Sequence, residues 1–359
     1  MLHIYEENNF ENLKEMAVEW NVLVKRGLGD VALTYEWSST LWEVHLGRKA
    51  IKTIILEEDN ELRGVMPLYE EHTRKNGLKV VELNPIWNLY SNHGGALLSG
   101  EEGVVEAFLE YVNGNYQWDI LKLYGCLESE ICRKTISWAK NTGRKFSIKA
   151  NPGSPFLKLD RPLDQILAGK SANFRANIKR KERKLKEAGD LTLDKYTNVG
   201  EVEMAIDQIC EIEKESWKHK AGTAITSVKR QELFFRGLAL RAAEQGWLRI
   251  YFLSLDRVPV AHEFALVYEG VYYMMKTSYK ESFGNLSPGV VIQWLTIKDA
   301  FSMGLREYDF LGASETYKLE WADGVREHNT VWVFNKKWKP EFVFEAGRVK
   351  QTLKRLLPL

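Results

Sequence analysis

The chain has 359 residues, 45% hydrophobic and 12% aromatic, which excludes a disordered chain and suggests two cores of ordinary domain size. Fifty lysines and arginines against 49 acidic residues leave a net charge of +1, so no global field attracts nucleic acid or an anionic membrane. No apolar stretch reaches the ~18 residues of a membrane span, and the N-terminus lacks a signal-peptide pattern. We therefore expect a cytoplasmic protein without membrane insertion.

The residue pattern of the first half of the sequence predicts alternating helices and strands. Hydrophobic periodicity predicts a helix at Phe10–Lys25, a hairpin of Lys52–Glu57 with Arg63–Glu70, and a strand at Val80–Leu83. A loop at Asn88–Gly95, a helix at Gly103–Asn113 and a strand at Asp119–Tyr124 are predicted to follow. His93 lies in the loop beside two glycines. We treat it as a candidate substrate-binding residue of a cleft between two halves, although a histidine in such a loop is often incidental.

The second half repeats this order of elements. Its helices and strands are expected at Val202–Lys218, Lys229–Glu244, Leu248–Leu255, Pro259–Tyr268, Val271–Thr277, Pro288–Phe301 and Glu307–Leu311. The repetition predicts an internal structural duplication. The turn-forming residues Asn151 to Pro155 favour a boundary there, with domains at 1–155 and 156–359.

The cysteines Cys126, Cys132 and Cys210 are few, odd in number and without CxxC spacing or a neighbouring histidine pair. This pattern favours buried free thiols over a disulfide framework, and it indicates no metal site.

The start of the helix after Val271–Thr277 has the pattern of an anion site. Ser287 suits the N-cap, Pro288 suits the first helical position, and Gly289 lets a ligand approach the backbone. Free N–H groups and the helix dipole would then face a pyrophosphate. The alternative is a capped amphipathic helix without a ligand.

Three motifs carry a resemblance to a known family: Ser287-Pro288-Gly289, Tyr308-Asp309-Phe310 and Tyr317-Lys318. Together they resemble the CelD/BcsL-like branch of the GNAT acetyltransferases, itself similar to FemAB-type peptidyltransferases, over roughly residues 171–336. The resemblance implies an α/β (α+β) fold of tandem GNAT-like domains. Each domain would have a mixed, mostly antiparallel central sheet flanked by helices, and the better-formed site would lie in the C-terminal one.

The resemblance also implies how a donor is held. The pantetheine amides would bind the strand at Met275, Lys276 and Thr277, and the CoA pyrophosphate would bind at Leu286, Ser287, Pro288, Gly289 and Val290. The co-substrate would be acetyl-CoA or another acyl-CoA, with no metal. Because the usual Arg/Gln-x-x-Gly-x-Gly/Ala loop is missing, an aminoacyl-tRNA donor stays open.

Acyl transfer to an amine needs a base and groups that stabilise the oxyanion. His262 and Glu263 are adjacent on one strand, so one points to each face. Asp309 and Tyr317 complete the catalytic candidates. Glu315 and Lys318 follow in a loop and are candidates for substrate binding. Each also has a structural interpretation as a core residue, a solvated side chain or an ion-pair partner.

Residues 171–186 predict a strongly basic helix capped by Ser171, with Phe174, Ile178 and Leu185 on its apolar stripe. Arg175 and Lys179 lie on a neighbouring basic face. That face suits an anionic ligand such as CoA, a sugar nucleotide, a lipid-linked pyrophosphate or tRNA, or it is simply solvated.

These features favour an acyl-CoA-dependent N-acyltransferase (EC 2.3.1.-) that acts on an amine of a small molecule or an envelope-glycan precursor by direct attack. No stable nucleic-acid partner is expected. The alternatives are a FemAB-like transferase that uses aminoacyl-tRNA, and a non-catalytic GNAT-like binding module. The acceptor, the acyl chain length, N- against O-acylation and the oligomeric state are left open by the sequence.

Overall fold

The computed structural model describes residues 1–27, 29–45, 51–86, 88, 90–91, 96–125 and 129–356. The chain forms two compact units, residues 1–152 with 327–359 and residues 153–326. It passes from the first unit to the second inside one strand and returns inside another. Among the described residues, no helix is both long and apolar enough to cross a membrane.

The first stretch of chain contains α1 to α5 and β1 to β7. In chain order these are β1 (His3–Glu7), α1 (Phe10–Glu15), α2 (Ala17–Arg26), α3 (Tyr35–His45), β2 (Ile51–Glu58), β3 (Glu61–Lys75), β4 (Leu78–Pro85), β5 (Leu97–Leu98), α4 (Val104–Asn115), β6 (Ile120–Gly125), α5 (Glu130–Asn141) and β7 (Lys145–Lys158). The single helix predicted from Phe10 is interrupted at Met16, which ends α1 and precedes α2.

The remaining elements follow β7. In chain order they are α6 (Leu163–Ala168), α7 (Ala172–Glu187), β8 (Leu191–Tyr196), α8 (Val202–Lys214), α9 (Trp217–Lys220), α10 (Lys229–Glu244), β9 (Leu248–Leu255), β10 (Val258–Tyr268), β11 (Val271–Tyr279), α11 (Pro288–Ser302), β12 (Glu307–Asp309), α12 (Thr316–Leu319), β13 (Gly324–Phe334) and α13 (Trp338–Leu356). Most predicted bounds in this half lie within two residues of the observed ones.

The sheets of the two units have the same connectivity. In the first unit, β1 to β4 pair antiparallel in order, β6 joins β4 in parallel, and β13 pairs antiparallel with β6. In the second unit, β8 to β11 repeat the antiparallel order, β12 joins β11 in parallel, and β7 pairs antiparallel with β12. The predicted duplication and the mixed, mostly antiparallel fold class are confirmed.

The predicted domain boundary differs from the observed units. The residues Asn151 to Pro155 form no turn but lie inside β7, where a Cβ on Gly153 would stand 2.6 Å from Val325 Cγ1 and 3.0 Å from the Arg326 carbonyl oxygen. Glycine is therefore needed for close approach to the neighbouring backbone rather than for a turn. Residues 327–359 belong to the first unit and not to a domain 156–359, because β13 pairs with β6 and Val343 of α13 is buried there.

The sheet of the second unit has two covered faces. On one face, Leu157, Tyr272 and Tyr308 form a core with buried residues of α7 and α11. On the other face, α8 and α10 bring Ile206, Ile209, Phe234 and Phe235 into the interior. Because successive side chains of a strand alternate, β10 and β11 contribute polar groups to both interiors.

Candidate active site

The strands β11 and β12 separate after a short parallel pairing. They pair at three positions, from Val271 with Glu307 to Tyr273 with Asp309, and β12 then ends while β11 continues to Tyr279. The register between β10 and β11 also shifts at Met275, which leaves that residue as a bulge. Among the described strands, none therefore pairs with residues 274–279 of β11 on this side, and their backbone amides can bind an extended, amide-containing ligand.

The start of α11 differs in one respect from the prediction. Ser287 is the N-cap residue and Pro288 occupies the first helical turn, but Ser287 adopts a left-handed conformation (φ 56°) and its side chain makes no capping hydrogen bond. A Cβ on Gly289 would stand 3.0 Å from Cδ1 of the Tyr279 ring. Glycine thus allows this ring to pack on the first turn. The N–H groups of Val290 and Val291 donate to the Ser287 carbonyl, which leaves the Gly289 N–H as the group of this turn that suits an anion.

The other predicted donor-binding residues direct their side chains inward. Leu286 and Val290 pack against the core under α11. The Lys276 ammonium donates to the Thr223 carbonyl at 2.6 Å, and the Thr277 hydroxyl donates to the His262 carbonyl at 2.9 Å. A ligand along β11 would therefore meet the backbone of this segment rather than these side chains.

A buried polar cluster lies on the face of β10 and β11 that α8 covers. The carboxylate of Glu213 has Oε1 3.5 Å from His262 Nε2 and 3.9 Å from Lys276 Nζ, and its Oε2 accepts from the Ile225 N–H at 2.5 Å. Ser278 lies directly opposite His262 in the strand register. Glu213 and His262 are 0% exposed, and Ser278 is 4% exposed.

Several polar atoms of this cluster are buried without a hydrogen bond. Among the described residues, no hydrogen-bond partner reaches Glu213 Oε1, the two ring nitrogens of His262 or Ser278 Oγ. Buried polar atoms in native proteins nearly always have partners, and groups that lack them concentrate at functional sites or beside ordered water. The cluster is therefore the part of the second unit best suited to proton transfer.

The electrostatics of the cluster hold an ionised acid beside a neutral imidazole. Burial alone would raise the pKa of Glu213, but His262 and the charges of Lys276 and Lys218 lower that pKa to about 2. Burial lowers the pKa of His262 below its usual value despite the nearby carboxylate. Burial and the Lys276 charge lower the pKa of Lys218 to about 8, and its ammonium donates to the Thr277 carbonyl at 2.5 Å.

Glu263 lies on the opposite face of β10 from His262. Its Oε1 accepts hydrogen bonds from the hydroxyls of Tyr272 at 2.7 Å and Tyr308 at 2.6 Å, and the two rings stack at 4.4 Å. Burial raises the pKa of Glu263 to about 7. The structure thus separates the two neighbouring candidates, and it places Glu263 under α11 inside the core.

Asp309 organises the turn that follows β12. Its carboxylate accepts from Arg326 Nη1 at 2.6 Å and from the Leu311 N–H at 2.8 Å, and burial raises its pKa to about 6 although Arg326 opposes this. Leu311 has φ 48°, which is unfavourable for a residue with a bulky side chain. These contacts assign Asp309 to holding the turn.

The candidates that follow this turn lie in helix α12 or at its N-cap, and not in the loop expected from the sequence. The Lys318 ammonium donates to the Leu311 carbonyl at 2.8 Å and lies 2.6 Å from the Glu315 carboxylate. Both charged groups are therefore engaged by neighbouring residues. Tyr317 is 38% exposed and is available to a ligand.

Replacing Arg326 by methionine is expected to lower the free energy of unfolding by about 2 kcal/mol, because the buried Asp309 carboxyl then lacks its cation. The loss stays below the full cost of an unpaired charge because the carboxyl can take up a proton. Urea denaturation at pH 7 measures the effect. Arg161→Met breaks the exposed pair with Asp323 and serves as the control, at less than about 1 kcal/mol. Equal losses in both variants would contradict the assigned role of Asp309.

The basic helix α7 forms as predicted. Ser171 caps it by accepting from the Phe174 N–H at 3.1 Å, and Ile178 and Leu185 are buried. Arg175 Nη1 instead donates to three carbonyls at the end of α6 and in the link to α7. Arg175 thus stabilises this connection, whereas Lys179 is exposed, and Lys184 donates to the Asn285 carbonyl beside the start of α11.

Two predicted residues lie outside the described part of the chain, His93 and Cys126. Cys132 and Cys210 are buried free thiols. Burial raises the pKa of Cys210 to about 11, so this thiol is not activated as a nucleophile. Across the described ranges, no group of His, Cys, Asp and Glu side chains is arranged to hold a metal ion.

Sequence reasoning missed Glu213, Lys218 and Ser278. A signal existed for Glu213, because it follows Ile206 and Ile209 on the apolar stripe of α8 at helical spacing. A carboxylate at a core position of an amphipathic helix requires buried partners, and here the Ile225 N–H donates to it while His262 and Lys276 lie close by. For Ser278, the strand register that brings it to His262 could not be read from spacing.

Comparisons with known proteins give a family match for part of the chain and several similar folds. Residues 172–319 match the family model described as the acetyltransferase (GNAT) domain. No protein with a curated description matches the chain. The solved structure of FemX is similar with a TM-score of 0.62 at 13% identity, over 90% of this chain and 96% of FemX. A conserved protein of unknown function from Bacteroides thetaiotaomicron has a TM-score of 0.58 at 10% identity, over 93% of this chain and all of the other. At such identities the similarity is one of fold.

Proposed function

We propose that this chain, in which residues 172–319 form a GNAT acetyltransferase domain, is an acyl-CoA-dependent N-acyltransferase. The family match supports acyl transfer as the reaction class. The observation that carries the finer proposal is the unpaired edge of β11 near the start of α11. The polar cluster is formed by His262 of β10, Ser278 of β11 and Glu213 of α8. The strand edge and the helix start suit an acyl donor, and the polar cluster suits proton transfer.

The donor would lie along β11 and end at α11. Pantetheine contains two amides, which can pair with the backbone edge at residues 274–279, and the pyrophosphate fits the first turn of α11 at Gly289. Tyr279 packs on the same turn. In this arrangement the chain would bind the donor mainly through backbone N–H groups. The side chains of Lys276 and Thr277 are then not needed for the donor and make their hydrogen bonds inside the protein.

His262 is the group best suited to accept the proton that an attacking amine loses. Its lowered pKa keeps the imidazole neutral near pH 7, and the ionised Glu213 stabilises the imidazolium that forms. Ser278, opposite His262 and without a hydrogen-bond partner in the described chain, is placed to pass the proton from the acceptor. The ammonium of Lys218 would stabilise negative charge on the carbonyl oxygen. The amine nitrogen attacks the thioester carbon, and the thiolate leaves.

The acceptor would be an amine of a small molecule or an envelope-glycan precursor. Attack on the thioester is direct in this proposal, since the described cysteines are buried free thiols and burial raises the pKa of the Cys210 thiol. Tyr317 of α12, whose side chain is 38% exposed, would contact this acceptor.

Calorimetric titration with acetyl-CoA at two salt concentrations tests the donor site. Wild type is expected to bind saturably, and Gly289→Trp is expected to remove binding, because the indole would fill the first turn of α11 and displace Tyr279. Gly200→Trp is the matched control, since Gly200 has open space around it and lies in another segment of the same unit.

Binding that survives in Gly289→Trp would contradict the position of the pyrophosphate. Absence of wild-type binding at both salt concentrations would overturn the acyl-CoA proposal. Saturable, strongly salt-sensitive binding of tRNA in its place would then support the aminoacyl-tRNA alternative, because phosphate contacts release counterions. Binding of neither donor would support a non-catalytic module.

A further inference from the structure

Three lysine ammonium groups of the first unit converge on one indole ring. Lys149 Nζ lies 3.4 Å from the centre of the Trp332 ring, Lys122 Nζ lies 4.5 Å from it, and Lys75 Nζ lies 5.0 Å from it. The three lysines come from β7, β6 and β3, and Trp332 comes from β13. Four strands therefore bring separate parts of the sequence to one point on the sheet.

The acidic groups at this point do not balance all three cations. Glu82 is 1% exposed and lies 2.5 Å from Lys122 Nζ and 3.1 Å from Lys75 Nζ. Glu71 faces Glu82 across the strand pair, so two carboxylates share this face. Lys149 makes neither a hydrogen bond nor an ion pair with any described residue. Lys149 thus has no directly bonded acidic group among the described residues, and Glu82 offsets its charge only in part.

The surroundings of Lys149 are unfavourable for a bare ammonium. Partial burial and the charges of Lys75 and Lys122 lower the pKa of Lys149, and Glu82 only partly offsets them. The indole face gives some attraction through its quadrupole. A bound anion would supply the missing partner, and it would also use the donor capacity that Lys75 and Lys122 retain beyond their bonds to Glu82.

We propose that Lys149, Lys122 and Lys75, held around Trp332, form a binding site for a phosphate group on the first unit. A phosphate monoester or diphosphate suits the site because its several oxygens can accept from three ammonium groups at once. Lys149 and Lys75 are accessible to such a ligand, whereas Lys122 approaches it from the interior. This site is separate from the start of α11 and goes beyond the proposed acyl transfer.

Titration of the full chain with inorganic pyrophosphate tests the site. All titrations are made with coenzyme A at saturating concentration, so that the start of α11 does not contribute. Lys149→Met is expected to weaken pyrophosphate binding about tenfold or more, because one charge-assisted hydrogen bond to the ligand is lost. Lys149→Arg keeps the charge and is expected to bind within about threefold of wild type.

Lys145→Met provides the matched control. Lys145 is an exposed lysine of the same strand, four residues away and on the same side, and its removal changes the net charge equally. Affinity is expected to stay within about twofold of wild type, since an exposed charge beyond direct contact is screened. Equal losses in Lys145→Met and Lys149→Met would overturn the site, as would the absence of wild-type binding at millimolar pyrophosphate.

Two further titrations identify the source of the phosphate. One uses a nucleoside diphosphate, and the other uses neutral vesicles that contain an isoprenyl diphosphate. Binding that depends on Lys149 in the first titration supports a soluble nucleotide ligand, and such binding in the second supports a lipid-linked one. If Lys149→Met binds both ligands and pyrophosphate with the same affinity as wild type, the proposal is wrong.

Discussion

Replacing His262 by glutamine is expected to lower kcat for acyl transfer by about 100-fold or more, within the range that general-base catalysis contributes. The donor affinity should stay close to that of wild type, because the site of the pyrophosphate and the edge of β11 are untouched. Glutamine keeps hydrogen-bonding capacity and comparable size beside Glu213, which limits the loss of packing. Steady-state kinetics with a surrogate amine, together with the acetyl-CoA titration, measures both effects.

The pH dependence of the wild type gives a second readout of the same assignment. A base acts only when deprotonated, and burial lowers the pKa of His262 below the ~6.5 of a free histidine. The acidic limb of kcat should therefore lie below pH 6.5. This limb should disappear in His262→Gln, whose residual rate would not depend on an imidazole.

His219→Gln is the matched control, since His219 is an exposed histidine of α9. Its kcat should equal that of wild type. Glu213→Gln is expected to reduce kcat as well, and the double variant with His262→Gln should lose little more than either single variant, because the two residues act as a unit. A His262→Gln enzyme with more than about a third of wild-type kcat would rule out His262 as the base.

Replacing Glu263 by glutamine is expected to raise the free energy of unfolding by up to about 3 kcal/mol at pH 8. Burial raises the pKa of this carboxyl to about 7, so the folded protein holds the proton more tightly than the unfolded chain. The contribution of Glu263 to wild-type stability should therefore be fully present below about pH 4 and should be lost as the pH rises through about 7. Glutamine resembles the protonated carboxyl, accepts from Tyr272 and Tyr308, and carries no charge to bury.

Urea denaturation of both proteins from pH 5 to pH 8 measures this effect. The advantage of Glu263→Gln should grow with pH and level off above pH 7. Its kcat should change little, because Glu263 lies on the other side of the sheet from His262. Tyr308→Phe serves as the control for loss of a hydrogen bond to the carboxyl, and it should be destabilising. A glutamine variant that is less stable than wild type throughout this range would show that the carboxylate is favourable in the core.

The exchange of strands between units explains the difference in the domain prediction. The order of elements repeats in the sequence, and the structure repeats it with the same pairings. A division of the chain in sequence order, however, assigns the sixth strand of each unit to the wrong half. Residues 156–158 of β7 pair with β12, and residues 329–334 of β13 pair with β6. A pattern of apolar residues identifies a strand but carries no information about which strand it pairs with.

The candidate site shows a similar division. Ser287, Pro288 and Gly289 were identified from their individual backbone preferences, and they occupy the first turn of a helix, although the Ser287 side chain does not cap it. His262 and Glu263 were known to face opposite sides from the period of a strand. The sequence did not indicate which face of the sheet carries the polar cluster with His262. The packing of α8 on one face and of α11 on the other decides this.

Local preferences and periodicity along a short stretch of chain were sufficient to predict the duplication, the basic helix capped by Ser171 and the elements from β9 to β12. They did not predict α5 or β7, and the helix predicted at Phe10–Lys25 is interrupted at Met16. The tertiary structure alone decided that Glu213 and Ser278 join His262, that Glu263 is enclosed by two tyrosines, and that three lysines meet at Trp332. Those groupings depend on strand register and helix packing between residues far apart in the chain, where burial sets the pKa of each group and local sequence does not.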